Sequence, residues 1–458
     1  MSVDPAVTHR RTRAERALEG RLLRRGDARF DDARQAWNLA LDQRPAAIVT
    51  AECSDDVVAA VGWARERGLQ VAAQSTGHGA GALGSLDDTL LLRTSGLRKV
   101  AIDPGAGVAR LGAGVIWQEA VDAAATRGLA LLAGSAADVG VVGYTLGGGL
   151  SWLGRAHGLA ANSVVAIELV TADGRIVRAD AEHEADLFWA LRGGGGSFGV
   201  VTSIELRLLS LSETYAGGLW WPLQRAPEVL EAWRQLTAAP MHDELTTVAR
   251  CLRLPPLPVV PEPLRGRAFV VIEAFELGDP ERADAVLAPL RALGPELDTL
   301  ELIGIRELAR VHMDPPQPIP AVGDGMLLRA LPAEAIEALL AVAGDGVQTP
   351  LLSVELRQLG GELARSRPEH GALAAIRSPY TLYAVGIAPT AEAVAAIESE
   401  LERIEAAMAP WAANEALLNF ADTRRDPATL WSEHVHRRLR HVKERFDPQD
   451  LIRANHPV

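Results

Sequence analysis

Gly77-His78-Gly79 sets an imidazole between two glycines, inside the run VAAQSTGHGAGALGS that spans residues 71–85. Glycine opens backbone conformations closed to other residues and lets a ligand approach the main chain, so His78 reads as presented to a partner rather than packed. A neutral imidazole is nucleophilic near neutral pH. Three glycine-rich loops, Gly77 to Gly84, Gly140 to Gly149 and Gly193 to Gly199, add bare backbone amides of the kind that cradle a pyrophosphate, and a dinucleotide is the ligand they suggest. The Rossmann arrangement is weakly represented: Gly112-Ala113-Gly114 falls between a strand and a helix but lacks the third glycine and a downstream acid.

A second constellation lies in LLSVELRQL, where strand alternation sets Leu352, Val354 and Leu356 on one face and Ser353, Glu355 and Arg357 on the other. An acid and an arginine between apolar neighbours are costly unless paired or used. Glu355 is therefore a candidate proton acceptor with Arg357 to orient it, and an ion pair at a domain seam is the equal alternative. In TTVARCLRL, Cys251 or Arg253 could line the same pocket; Cys251 has no histidine near it in sequence, so packing is its expected role. Trp220 and Trp221 either stack on an aromatic substrate or, as aromatic pairs more often do, fill a core. His434, His436 and His441 fall on different faces of one helix with no carboxylate at a zinc-like interval, so no metal is expected.

The elements that must hold these groups follow from pattern. RPAAIVTAECSDDVVAAVGWARERGLQVAAQ reads as strand, helix opened by Ser54-Asp55-Asp56 and ended at Gly68, then strand. TLLLRT, KVAID and VARLG read as a small antiparallel sheet, VIWQEAVDAAATRG as a helix closed by Gly128, and TADGRI as a hairpin turn. After about Ser212, strands alternate with alanine-rich helices, which predicts an α+β domain whose mainly antiparallel sheet is covered on one face.

At 458 residues the chain is long enough for two domains, and its net charge of -13 argues against nucleic-acid binding. The basic runs near both ends are solvated helix faces, and no run of about 20 apolar residues predicts a membrane span. Cys53 and Cys251, the two cysteines, are far apart, which fits a reducing cytoplasm without disulfides.

Several stretches together resemble the vanillyl-alcohol-oxidase and p-cresol-methylhydroxylase flavoproteins, and within them the berberine-bridge-enzyme-like oxidoreductases. They are the Gly77-His78-Gly79 loop, VGVVGYTLGGGLSWLGRAHGLAANSV, LVTADGRIV, DLFWALRGGGGSFGVVTSIEL, and the tail NF followed by RLRHVKERFDPQDLIRAN, in the family's order over nearly the whole chain. The resemblance implies an α+β fold: a two-part FAD-binding domain of the p-cresol-methylhydroxylase type over residues 31–211 behind an N-terminal extension or helix at 1–30, a substrate domain over 212–415, and a C-terminal segment, 416–458, returning to the FAD domain.

It further implies FAD joined covalently to His78, with the pyrophosphate on the loop Ser75, Thr76, Gly77, His78 and Gly79 and with Ala80 and Leu83 beside it. The second loop brings Ala136, Val139, Gly140, Gly143, Tyr144, Gly147, Gly148 and Gly149 to the flavin, and Gly199, Val200, Asn419 and Asn455 complete the set. Many relatives attach the flavin a second time through a cysteine where this chain has Ala136, so one covalent bond is expected. Val139 matches a position held to gate oxygen, and its small side chain suggests an oxidase.

Relatives often have tyrosines where this chain has Leu417 and Phe420; Tyr144, Tyr215, Tyr380 and Tyr383 remain as substitutes, with Tyr144 foremost. Glu355 is the first candidate to take a proton as hydride leaves an alcohol, hemiacetal or amine carbon. The implied partners are a small-molecule substrate and molecular oxygen, with self-association left open. The alternatives are a monooxygenase-like tailoring enzyme for a polyketide or similar product, and a flavin-binding protein without turnover.

Overall fold

Parallel strands need long crossovers, and the first 95 residues of the chain supply them. In the computed structural model, which describes residues 13–458, strand Thr89–Arg93 lies parallel to both Ala47–Thr50 and Gln70–Gln74. Helix Ser54–Arg65 makes the crossover. The Asp56 carboxylate holds its first turn by accepting from the amides of Glu52 and Cys53 at 2.9 and 3.2 Å, and Gly68, at φ +65°, turns the chain out after it.

Two expectations change here. Thr89–Arg93 is not part of an antiparallel sheet with its successors: Thr89 to Leu92 are all buried, the mark of a strand covered on both faces. Only Val100–Asp103 and Val108–Gly112 are antiparallel neighbours, and they continue into Val200–Arg207, Val164–Val170 and Ile176–Asp180 as a five-stranded sheet. The N-terminal extension also does more than stand apart. Residues 1–12 lie outside the described residues; Arg13–Ala17 is helical, but Leu22–Arg24 is an edge strand paired antiparallel with Ala47–Thr50.

The second half forms an eight-stranded antiparallel sheet ordered Leu297–Asp298, Glu213–Pro222, Ala268–Glu276, Leu245–Arg253, Leu351–Gln358, Tyr380–Ile387 and Ala321–Leu328, with Glu301–Gly304 also on Glu213–Pro222. Helices Ala226–Ala238, Ala333–Ala343 and Ala391–Met408 cover one face, burying Trp221, Trp233, Val270 and Ile272. Trp220 packs edge-on against Phe269. Both members of the tryptophan pair are therefore core.

The opposite face meets the first half of the chain. Trp152 stacks on Phe275 with ring centres 4.3 Å apart, and the tail after helix Glu433–Phe446 crosses back: the Leu451 carbonyl accepts from Val71 and the Arg453 amide donates to it, at 2.8 and 2.9 Å. The Gly193 loop, at φ +92°, leaves no room for a side chain, since a Cβ there would sit 2.3 Å from the Leu373 Cβ. Gly193→Ala is expected to cost about 2 kcal/mol or more in denaturant unfolding. Gly196→Ala, which meets nothing within 4 Å, is the matched control.

Candidate active site

Where the two halves meet, a cavity of about 530 Å³ runs from the loop at Ser75 to the inner face of the second sheet. This size suits a cofactor together with a small substrate region. Ser75 through Ala80 and Leu83 form one end of it, with Ala136, Val139, Gly140, Gly143, Tyr144, Gly147 and Gly199 along one side and Asn419 and Asn455 on the other. Asn419 is a bridge: its side chain donates to the Tyr144 carbonyl at 3.0 Å and accepts from the Gly149 amide at 2.9 Å. Asn455 donates to the Gly79 carbonyl, which ties the tail to the histidine loop.

Three members of the glycine and valine set do not line the cavity. Gly148 and Gly149, at φ +116° and +76°, make the turn that lets Leu373, Ala160 and the Tyr144 ring close in. Val200 is fully buried in the core, and strand alternation presents Val201 to the cavity instead. Cys251 and Arg253 likewise face away: Cys251 lies in the helix-covered core, where burial pushes its thiol up to about 11, and Arg253 donates to the Ala343 and Gly344 carbonyls. Arg250 and Leu252 are the cavity-facing members of that strand, and Leu254 just beyond its end faces the cavity as well.

His78 is held on three sides. Its Nδ1 shares a 2.8 Å hydrogen bond with the Thr76 hydroxyl, its ring stacks on Trp37 at 4.1 Å, and its Nε2 lies 3.4 Å from Asp138. Trp37 donates to the other Asp138 oxygen. Burial raises the affinity of Asp138 for a proton, but His78 and Trp37 outweigh it and hold the carboxyl below its ordinary range. An ionised Asp138 favours the tautomer with its proton on Nε2, in which Nδ1 accepts from the Thr76 hydroxyl. Trp37 and Asp138 were not signalled by the sequence, because neither lies in a glycine motif.

Glu355 and Arg357 reach the cavity as the alternation predicts, 2 % and 7 % exposed. Leu352 breaks that pattern: a register shift between Leu351 and Ser353 turns it to the cavity as well. Each Glu355 oxygen is occupied, one by Arg357 Nε at 2.7 Å and the other by His312 Nε2 at 3.0 Å. His312 Nδ1 donates to Glu273 at 2.7 Å, and Glu273 also pairs with Arg250 at 3.0 Å. Burial pushes the Glu355 carboxyl up, but Arg357 and His312 outweigh it and hold it well below the carboxylate range. Burial and Arg250 push the His312 imidazole down, while Glu273, Asp314 and Glu355 raise it to about 9.

On the neighbouring strand Tyr383 is the register partner of Glu355. Its hydroxyl donates to Asp422 at 2.8 Å, and both groups face the cavity. Glycine at 323 makes room for this phenol, since a Cβ there would come within 2.5 Å of its oxygen. Burial and the charge of Asp324 push the Asp422 carboxyl up to about 7 against the pull of Tyr383 and Arg425. Tyr144, the tyrosine favoured from sequence, also lines the cavity, but its buried hydroxyl has no hydrogen-bond partner among the described residues. Tyr215 bonds Asp284 and Tyr380 bonds Thr237, both away from the cavity. No cluster of three or more His, Cys, Asp or Glu side chains is placed to hold a metal among the described residues, and no helix among them is long and apolar enough to cross a membrane.

A split α+β domain with glycine-walled loops, closed by an antiparallel sheet that carries ionisable groups, defines an FAD-linked oxidoreductase. Residues 45–180 match a family model described as an FAD binding domain. The chain is 28 % identical over 462 residues to (R)-6-hydroxynicotine oxidase from Paenarthrobacter nicotinovorans, covering 96 % of this chain and 97 % of that protein. It is 32 % identical over 210 residues to glucooligosaccharide oxidase from Sarocladium strictum, 44 % of this chain and 42 % of that one. The solved structure of BBE-like 1 from Physcomitrella patens superposes with a TM-score of 0.84 at 20 % identity, over 98 % of this chain and 99 % of that chain. The chain thus carries an FAD binding domain and is similar along nearly its whole length to an FAD-linked oxidase. The cavity fits such a cofactor on its own chemistry, because Ser75 Oγ is a buried polar atom on its wall without a hydrogen-bond partner among the described residues and Gly140, Gly143 and Gly147 leave bare backbone beside it.

Proposed function

We propose that this protein is an FAD-dependent oxidase that carries one covalent bond to its flavin, through His78, and removes hydride from an alcohol, hemiacetal or amine carbon of a small organic substrate. The observation that carries this reading is the setting of His78: a ring clamped by Trp37, Thr76 and Asp138 at the glycine-walled end of the cavity. When bound, the flavin supplies the two-electron acceptor and passes the electrons on to molecular oxygen. The oxidase names of the two curated relatives, one acting on an amine and one on a sugar, support the reaction type and span its substrate classes.

The remaining work falls to the chain's own residues. Ser75 to Gly79, Asn419 and Asn455 would hold the dinucleotide, and Ala136, Val139, Gly140, Gly143 and Gly147 present small side chains or bare backbone to the cavity. Ala136 has no thiol, so a second attachment there is ruled out by chemistry. Glu355, with both oxygens occupied, serves to fix Arg357 and His312 rather than to accept a proton. The proton from the substrate O–H or N–H goes instead to the Tyr383 hydroxyl as that hydroxyl hands its own proton to Asp422, the hydrogen bond between them already being in place.

Asp138→Asn is expected to leave a yellow protein in which covalent attachment is slower by on the order of 100-fold, followed by mass spectrometry after FAD is added to apoprotein. The function itself is tested by mixing the purified holoprotein anaerobically with a panel of secondary amines, reducing sugars and benzylic alcohols and watching the flavin bleach. Re-oxidation by air with stoichiometric peroxide supports the oxidase; a flavin that no member bleaches removes it.

A further inference from the structure

Arg357 spends only one of its nitrogens on the protein. Its Nε donates to Glu355 at 2.7 Å, while its two terminal nitrogens have no acceptor among the described residues, although the side chain is 8 % exposed. The guanidinium lies between two aromatic faces, 4.5 Å from Trp152 and 5.2 Å from Phe420, which fix its plane. Tyr144 lines the same cavity, and its buried hydroxyl has no hydrogen-bond partner among the described residues.

Charges of both signs surround the guanidinium, with Asp422 on the same cavity wall. Arg250, His312 and Arg357 are three buried cations set against two buried carboxylates, Glu273 and Glu355. One further carboxylate, Asp314, stands 3.8 Å from His312 at the mouth, with a side chain 30 % exposed, where water screens it. A guanidinium held in place through one nitrogen, with its terminal N–H groups open to a cavity, is best completed by an anionic ligand. A guanidinium with two parallel N–H groups is matched by a carboxylate, which accepts both.

We propose that Arg357 and Tyr144 form a carboxylate-binding subsite, so that the substrate of this enzyme is a small organic acid held by its carboxylate against the second sheet. The two terminal nitrogens of Arg357 take the carboxylate oxygens in the fork geometry, the Tyr144 hydroxyl donates a third hydrogen bond, and the Trp152 and Phe420 rings flank the group. Glu355 keeps the guanidinium in place through Nε without occupying the fork. No bond is made or broken in this step, and the subsite orients the acid while Tyr383 and Asp422 act on a separate O–H or N–H.

The inference rests on the flavin reading, and its test separates the two. Benzoate is titrated into the purified holoprotein while the visible flavin spectrum is followed, with benzamide as a neutral analogue of the same shape. A saturable spectral change with benzoate is expected, with benzamide far weaker. Arg357→Met should weaken benzoate by roughly tenfold to a hundredfold, the loss of a charge-assisted pair. Tyr144→Phe, which keeps the ring packing and removes only the donor, should weaken it by roughly fivefold to tenfold. Flavin content and circular dichroism check that both variants fold, and Tyr144→Phe alone remains decisive if Arg357→Met does not. Benzoate that leaves the flavin spectrum unchanged, benzamide that binds as tightly, or full affinity in Tyr144→Phe and Arg357→Met overturns the subsite. Protein that takes up no FAD at all removes the flavin reading and the subsite with it.

Discussion

His78→Ala yields a protein that is still yellow when purified but releases all its flavin into the supernatant on acid precipitation, whereas the wild-type pellet stays coloured. The first half of this expectation follows from how little of the wall His78 provides. Asn455 still grips the Gly79 carbonyl, Asn419 still joins the Tyr144 and Gly149 backbones, and Ser75, Thr76 and the glycine amides are unchanged. The second half follows from the lack of a thiol at the second attachment position: Ala136 carries none, and the free cysteines are Cys53, exposed, and Cys251, buried in the other core. A coloured pellet from His78→Ala would place the bond elsewhere, and a yellow wild-type supernatant would mean a flavin that is bound but never tethered. Trp37→Phe separates stacking from the Asp138 contact, since it keeps a ring on the imidazole while removing the indole donor to the carboxylate.

What could be read from the sequence divides along a physical line. Local signals carried the glycine loops, the α/β unit at 47–74 and the hairpin at Gly174, because turn chemistry and periodicity are set by near neighbours. The pairing of Thr89–Arg93 went wrong because a short apolar run does not announce which strands will flank it, and only burial on both faces distinguishes it. The site shows the same limit more sharply. Glu355 and Arg357 were visible as charges out of place on one strand, but their partner His312 comes from a loop 43 residues earlier, in a sequence that is rich in proline and has no motif. Trp37, Asp138 and Asp422 are ordinary residues until the fold brings them to the cavity wall. Tyr383 was one of four tyrosines, and nothing short of its 2.8 Å bond to Asp422 separates it from the others.

That bond makes flavin reduction depend on pH in a stated direction. Asp422 must be ionised to receive the proton, and its carboxyl is raised to about 7, so the rate of substrate-driven bleaching should climb as pH rises through about 7 and then level. Tyr383, Asp324 and Arg425 are the groups that face it; Glu355 lies behind Tyr383 and stays ionised throughout. Asp422→Asn should remove the inflection and lower the plateau by on the order of 100-fold, and Tyr383→Phe should lower it similarly while both keep their flavin. The same ionisation acts on stability with the opposite sense. A carboxyl whose folded value lies above its unfolded one binds more protons when folded, so stability falls as pH rises from about 4 to about 7 and stays low above. From 3.8 to about 7, at about 1.4 kcal/mol for each pH unit, this is at most about 4 kcal/mol. Asp422→Asn should therefore be more stable than wild type in denaturant unfolding at pH 8 and no more stable at pH 4, while being the slower enzyme at pH 8. A variant slower at pH 8 but with the wild-type pH dependence of both rate and stability would mean that Asp422 holds Tyr383 in place without taking its proton.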